Sequence, residues 1–208
     1  MRPVSLIISL WRVVPRRGII HRVRSSAGGA SAVDRLGYVA IRNDQDVVAI
    51  DEARLRRCVE VVLDEARCGA FDVGIWLTTD EVVRELNRDH RGIDAPTDIL
   101  SFPFHDEAEP GEVPDAVPVD DEDLLNLGDL VISVDYVARM RDKTEDPTTS
   151  MEVERGVAGA LAGEADAEAR VRLLVVHGIC HLMNYDHETE EEYAAMVDLE
   201  ERLLARLV

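Results

Sequence analysis

Three histidines lie close together near the C-terminal end of the chain, at positions 177, 181 and 187. On a helix, residues i and i+4 face the same side, so His177 and His181 can direct two imidazoles towards one ion. His187 can complete the set if the chain reverses after the helix, and Asn184 suits that reversal because Asn tolerates left-handed backbone. Three protein ligands leave a fourth tetrahedral position for water, which is typical of a catalytic zinc. The spacing therefore predicts one zinc ion per chain, bound by these three histidines.

The residue after His177 limits the reactions that such a site could perform. Metzincin proteases share the histidine spacing in H-E-x-x-H-x-x-G-x-x-H, but their Glu is the general base for peptide hydrolysis. Gly178 occupies that position here. The pattern favours a hydrolase of something other than peptides, and a metalloprotease with an unusual base is the weaker alternative. Cys180 lies between two proposed ligands, but helix geometry turns it away from His181 and favours a buried apolar role.

The elements that position these residues can be predicted from apolar periodicity and capping patterns. Strands are predicted at 38–42, 71–77, 98–104 and 127–134. Helices are predicted at 51–68, from a capping box at 78–81 through residue 87, at 135–144 and 171–183, and after a capping box at 189–192. Strands mixed with helices indicate a single α+β domain with a layered α/β arrangement. We expect helices to pack on a four-stranded mixed sheet, with the zinc site on a C-terminal helix.

Charge is unevenly distributed along the chain. Residues 1–33 contain six arginines and no Asp or Glu, whereas the rest carries a net charge of −25. An Arg-rich, Ser-containing start without acidic residues is typical of an organellar transit peptide, predicted here with its linker at residues 1–36. A mitochondrial location is favoured, and a plastid or the cytoplasm is the alternative. No apolar run is long enough for a membrane helix, so no membrane association is expected. The three cysteines are odd in number and form no C-x-x-C pair, which predicts no disulfide framework.

Three sequence blocks resemble one family. Residues 177–187 differ at one position, Asn184, from the pattern H-G-x-x-H-x-x-G-Y-D-H. Residues 86–104 are similar to L-N-x-x-Y-R-x-x-D-x-P-T-D-V-L-S-F-P, with His90 at the aromatic position, and residues 127–133 are similar to L-G-D-I-x-I-S. In this order they resemble the YbeY family of metal-dependent single-strand endoribonucleases. The resemblance implies such a domain at 37–208, in which the Ala-, Gly- and Glu-rich segment 151–170 is an insertion.

The resemblance also implies a role in ribosomal RNA maturation and ribosome biogenesis, and it suggests roles for single residues. Zinc held by neutral imidazoles can lower the pKa of a water towards about 7. Arg91 matches the family's arginine, and a guanidinium there can stabilise the charge that develops on a phosphodiester. Asp186 is a candidate for proton transfer or for orienting an imidazole, and Asp98 is a further candidate. Whether water or the RNA 2′-hydroxyl attacks stays open.

An acidic chain needs a local way to bind RNA, because nucleic-acid binding usually requires basic surface. Arg84 and Arg88, together with Arg91, form the expected positive strip, and Ser101 is a further candidate for substrate binding. Residues 105–126 carry nine carboxylates and no Lys or Arg, which predicts a solvated loop. That loop could bind a basic ribosomal protein of the small ribosomal subunit. A zinc-containing ribosome assembly factor that does not cut RNA is therefore the alternative function.

Overall fold

A four-stranded sheet lies at the centre of the computed structural model, which describes residues 36–113, 124–140 and 155–207. In chain order the strands are β1 (Val39–Asn43), β2 (Asp72–Thr78), β3 (Ile99–Pro103) and β4 (Asn126–Ser133). The helices within the described ranges are α1 (Glu52–Glu65), α2 (Asp80–Arg91), α3 (Val134–Met140), α4 (Gly156–Gly163), α5 (Ala167–Leu182) and α6 (Glu190–Leu204). The predicted α+β domain with a four-stranded sheet is confirmed.

The sheet is mixed, as expected. Its strand order is β1-β2-β4-β3, in which β1, β2 and β4 are parallel and β3 runs antiparallel to β4. Strand β4 is buried from Leu127 to Ser133, because helices cover both faces of the parallel part of the sheet. Strand β3 pairs with β4 alone among the described strands. This arrangement leaves β3 at the edge of the sheet.

Alternating side chains of the strands divide the core into two parts. Leu130 and Ile132 of β4 belong to the main core together with residues of α1, α5 and α6. Val131 points to the opposite face, where it packs with Leu100 of β3 and Val83 of α2. Helix α5 contacts β3, β4 and the helices α1, α3, α4 and α6. The helix predicted to hold the metal ligands is therefore packed on most of its sides, which makes it a rigid support.

The start of α2 differs from the prediction. The prediction of a capping box at 78–81 was wrong. Thr78 is the last residue of β2, and the N-cap residue Thr79 makes no side-chain hydrogen bond that caps the helix. Instead, the backbone N–H of Asp80 donates to Asp135 Oδ2 at 3.1 Å. The capping box predicted at 189–192 is confirmed at the start of α6. A distant carboxylate can therefore replace the local cap that a sequence pattern suggests.

Helix α2 also extends beyond its predicted end at Asn87. It continues to Arg91, and Gly92 in the left-handed conformation, with φ of 73°, ends it. Asn87 is buried, and its amide donates to Ala95 O at 2.7 Å. The side chain of Asn87 thus fixes the following loop rather than terminating the helix. As a result, Arg91 lies on the last turn of a helix and not on a free loop.

Residues 105–126 were predicted to form a solvated loop, but part of this segment is buried. Val113 and Leu125 are completely buried in the main core, and His105 Nε2 lies 2.8 Å from Leu124 O. The prediction was wrong at Val113 and Leu125, because burial of these apolar side chains is favourable despite the charged residues around them. Within the predicted insertion 151–170, residues 156–163 form α4, and α5 begins at Ala167, earlier than predicted.

Several predicted segments lie outside the described residues. These include the proposed transit peptide, the middle of the acidic loop with its run of four carboxylates, and the last residues of the helix predicted at 135–144. Within the described ranges, none of the helices has the length and apolar character needed to cross a membrane.

Candidate metal centre

Helix α5 holds the first two predicted ligands on one face. His177 and His181 are one turn apart, and their Nε2 atoms are separated by 3.1 Å. Ligand atoms of His177, His181 and His187 all lie within 4.8 Å of one another. Two nitrogens bound at about 2.0–2.1 Å to a tetrahedral ion are separated by roughly 3.3 Å. The three histidines therefore fit a single metal ion, as the spacing predicts.

The chain reversal that brings His187 back to α5 occurs at Asn184. This residue has a left-handed backbone with φ of 64°, which confirms the predicted turn. Its side-chain amide donates to His105 O at 2.6 Å and to Ala108 O at 2.9 Å. Gly in this position would allow the same backbone but would lack these two bonds. The beginning of the acidic segment thus holds the turn that precedes the third predicted ligand, His187.

Hydrogen bonds orient two of the imidazoles. His177 Nδ1 lies 2.7 Å from Glu200 Oε1, and His181 Nδ1 lies 2.9 Å from Tyr185 O. Both partners can accept a hydrogen bond from Nδ1–H, which leaves Nε2 available for a metal. Burial, together with the neighbouring His177 and His187, lowers the pKa of His181 to about 4. His181 is therefore neutral near pH 7, which is the form that binds metals.

Gly178 permits close contact between α5 and the sheet. A Cβ at this position would lie 2.7 Å from Leu130 Cδ2 and 2.8 Å from Ile99 Cδ1. Both neighbouring side chains belong to the packed core. The position that holds the general base in metzincins therefore points into the sheet here and has no room for a carboxylate. The geometry supports the prediction that this site lacks the base used for peptide hydrolysis.

Gly178→Glu is expected to lower the free energy of unfolding by about 3 kcal/mol or more, because it buries an unpaired charge between α5 and the sheet. Thermal unfolding of the metal-free protein measures this effect. Gly163→Glu is the matched control, since a Cβ at Gly163 meets nothing within 4 Å, and we expect it to cost less than about 1 kcal/mol. Equal stability of the two variants would contradict the close packing at Gly178.

The histidines open onto a cleft of about 920 Å³. Its walls come from the end of α2, the edge strand β3, helices α4 and α5, and the turn after α5. The predicted site residues that line it are Arg91, Asp98, Ser101, Asp186 and the three histidines. Arg91 is the only Lys or Arg among the described residues of the lining. One cationic side chain thus shares the cleft with the metal site.

Two predicted RNA-binding residues lie elsewhere on α2. Arg84 donates two hydrogen bonds to Asp94, at 2.7 and 2.9 Å, and Arg88 donates to Asp89 at 3.1 Å. Neither arginine is among the residues that line the cleft. In contrast, Arg91 forms no ion pair with the described part of the chain. Of the predicted positive strip, the structure brings Arg91 alone to the cleft of the candidate metal site.

The two acidic candidates are held by local backbone groups. Asp98 Oδ1 accepts from Ile99 N–H at 2.9 Å and from the Thr97 hydroxyl at 3.0 Å. Asp186 Oδ1 accepts from His187 N–H at 2.8 Å, and the side chain is exposed. These contacts fix the loop at each position. Asp186 contacts the backbone of a predicted ligand, His187, whereas the carboxylate that contacts the imidazole of a predicted ligand belongs to Glu200.

Glu200 is a site residue that the sequence reasoning missed. It lies on α6, far from the histidines in the sequence, and it is only 4% exposed. A signal was present, because Met196, Leu199 and Leu203 form the apolar stripe of this helix and Glu200 occupies a position within it. A carboxylate at such a position needs a partner inside the protein. The sequence alone did not identify that partner.

Comparison with known proteins assigns this arrangement to a family. The model of the family described as Endoribonuclease YbeY matches residues 40–208. A human protein named Endoribonuclease YbeY is 32% identical over 169 residues, which cover 81% of this chain and 87% of the relative. The protein of that name from Symbiobacterium thermophilum is 34% identical, and the match covers 80% of this chain and 95% of the relative. The one from Alkalilimnicola ehrlichii is 40% identical, and the match covers 75% of this chain and 77% of the relative. The chain therefore belongs to the YbeY family.

Proposed function

We propose that this protein is a zinc-dependent endoribonuclease that cuts single-stranded RNA during ribosomal RNA maturation. The observation that carries this proposal is the presence of Arg91 and the three-histidine site in the same cleft. Relatives named Endoribonuclease YbeY support the reaction class. The ligand set supports zinc, because three neutral imidazoles in a tetrahedral arrangement suit this ion and leave one position open.

Different residues of the cleft can have different roles in phosphodiester cleavage. A bound zinc ion would supply positive charge and would lower the pKa of water. Arg91 would bind non-bridging phosphate oxygens through two parallel N–H groups, which would stabilise the charge that develops on them. The exposed carboxylate of Asp186, next to His187, is the candidate for moving a proton. The hydroxyl of Ser101 on β3 can contact the RNA backbone.

Two aromatic rings in the same cleft as Arg91 favour RNA as the substrate. The rings of His90 and Phe102 line the cleft, with centroids 5.1 Å apart in an edge-to-face arrangement. His90 is exposed and Phe102 is partly exposed. Single-stranded RNA is recognised largely through unstacked bases that lie on aromatic side chains. A cation and two rings in one cleft therefore suit an unpaired nucleotide, whereas the packing of Gly178 disfavours peptide hydrolysis.

Cleavage assays with the purified full chain test this proposal. Single-stranded RNA should be cut, a duplex of the same sequence should resist, and a chelator should stop the reaction until zinc is restored. An unfolded protein substrate, tested in parallel, should stay intact. Absence of RNA cleavage by protein that carries stoichiometric zinc would refute the proposal and favour a non-catalytic assembly factor.

The partners and the compartment stay predictions from the sequence. These are the small ribosomal subunit, a basic ribosomal protein bound by the acidic segment, and a mitochondrial location. Residues 1–35 and 114–123, on which they mainly depend, lie outside the described residues. The N-terminal prediction is compatible with the family match, which begins at residue 40.

A further inference from the structure

A buried carboxylate of α6 connects the metal centre to α4. Glu200 is 4% exposed and is surrounded by the apolar stripe of its helix. Burial of a carboxylate is costly unless hydrogen bonds compensate for the water that it loses. Within the described residues, three side chains of charged residue types are buried: Asp129, Arg170 and Glu200. The contacts of Glu200 should therefore have a specific role.

Both oxygens of Glu200 have partners. Oε1 lies 2.7 Å from His177 Nδ1, and Oε2 accepts a hydrogen bond from Val157 N–H at 2.8 Å. Gly156 allows this approach, because it has a left-handed φ of 63° and a Cβ there would collide with Oε2. Glu200 thus joins a predicted metal ligand to the first turn of α4, whose Val157 also lines the cleft.

We propose that Glu200 is a positioning residue that keeps His177 in the form that binds metal. A carboxylate oxygen that accepts a hydrogen bond from the imidazole selects the tautomer with its proton on Nδ1. The lone pair is then on Nε2, the atom that faces His181 Nε2. The proposal rests on the metal centre of the proposed function, but it does not depend on RNA cleavage.

A purely structural role is the competing explanation, because Glu200 also fixes the start of α4. Glu200→Gln separates the two roles. The amide oxygen can still accept from Val157 N–H, and this orientation turns the NH₂ group towards His177 Nδ1. A donor at that place favours the opposite tautomer, with the proton on Nε2. The variant should therefore keep the contact with α4 while it opposes metal binding by His177.

The matched control is Glu201→Gln, one residue further along α6. Glu201 forms an exposed ion pair with Arg155, in which its oxygens lie 2.7 and 3.0 Å from the guanidinium nitrogens. Its substitution removes the same charge from the same helix without touching a histidine. Effects of net charge or of a weakened contact between α4 and α6 should therefore be equal or larger in the control.

Two measurements on the full chain test the proposal. Nitrogen-15 NMR of the metal-free protein, with His177 assigned by comparison with His177→Ala, should show the proton on Nδ1 in the wild type and on Nε2 in Glu200→Gln. Competition between protein and a chelator for zinc should show affinity weakened by about 10–100-fold in Glu200→Gln, the usual effect of losing such a partner. Glu201→Gln should bind zinc as the wild type does.

Either of two results would overturn the proposal. One is a wild-type His177 with its proton on Nε2, a result that does not require any variant to fold. The other is a folded Glu200→Gln protein with wild-type zinc affinity. Because neither measurement uses RNA, a failed nuclease assay with normal results here would overturn the proposed function and leave the role of Glu200 intact.

Discussion

His181→Ala is expected to abolish metal binding and to lower RNA cleavage by more than about 10³-fold. His181 is the central ligand, since its Nε2 lies 3.1 Å from that of His177 and its ring is 5.1 Å from that of His187. Its loss leaves two imidazoles, of which one is exposed, and the charge that lowers the pKa of water is lost with the ion. Elemental analysis of the purified variant and a single-stranded RNA assay measure the two effects.

His105→Gln is the control for loss of a histidine. The His105 ring makes its hydrogen bond to Leu124 O, outside the metal site, and a glutamine amide can donate to the same carbonyl. This variant should keep zinc and activity. The folding of His181→Ala must be measured separately, because metal binding and folding are coupled. Undiminished stoichiometric zinc in a folded His181→Ala protein would exclude the three-histidine site.

The arrangement of the three histidines could be predicted from the sequence because local geometry determines most of it. A spacing of four places His177 and His181 on one side of a helix in any fold, and Asn184 indicated the reversal that brings His187 back. The strands could be located within one or two residues, since apolar runs depend on burial alone. These predictions needed no knowledge of which elements are neighbours.

Contacts between distant segments could not be predicted in the same way. Glu200 meets His177 only after α6 packs beside α5, and Asp135 caps α2 across 55 positions of sequence. Likewise, the spacing of the arginines in the sequence does not show that Arg84 donates two hydrogen bonds to Asp94, or that Arg91 lines the cleft. Local patterns identify residues with suitable chemistry, and tertiary packing then decides which of them meet the site.

Arg91→Ala is expected to lower RNA cleavage by about 10²–10³-fold while zinc content and folding stay unchanged. The expected loss is that of one well-placed electrostatic contact in a transition state. Arg91 lines the same cleft as the three histidines but forms no hydrogen bond with any of them in the described part of the chain, so it should not affect metal binding. Arg91→Lys should recover only part of the activity, because an ammonium cannot bind two phosphate oxygens as a guanidinium fork does.

Arg88→Ala provides the matched control, because it removes the same charge from the same turn of α2 outside the cleft. Its guanidinium donates to the exposed Asp89, so the loss should change cleavage by less than about threefold.

General electrostatic attraction of RNA would make the two variants similar at low salt and would weaken both effects as salt is raised. A role in the transition state instead predicts that the large loss in Arg91→Ala persists at saturating RNA, in kcat. Equal rates for Arg91→Ala and the wild type would refute the role of this arginine, and a change in KM alone would limit it to binding.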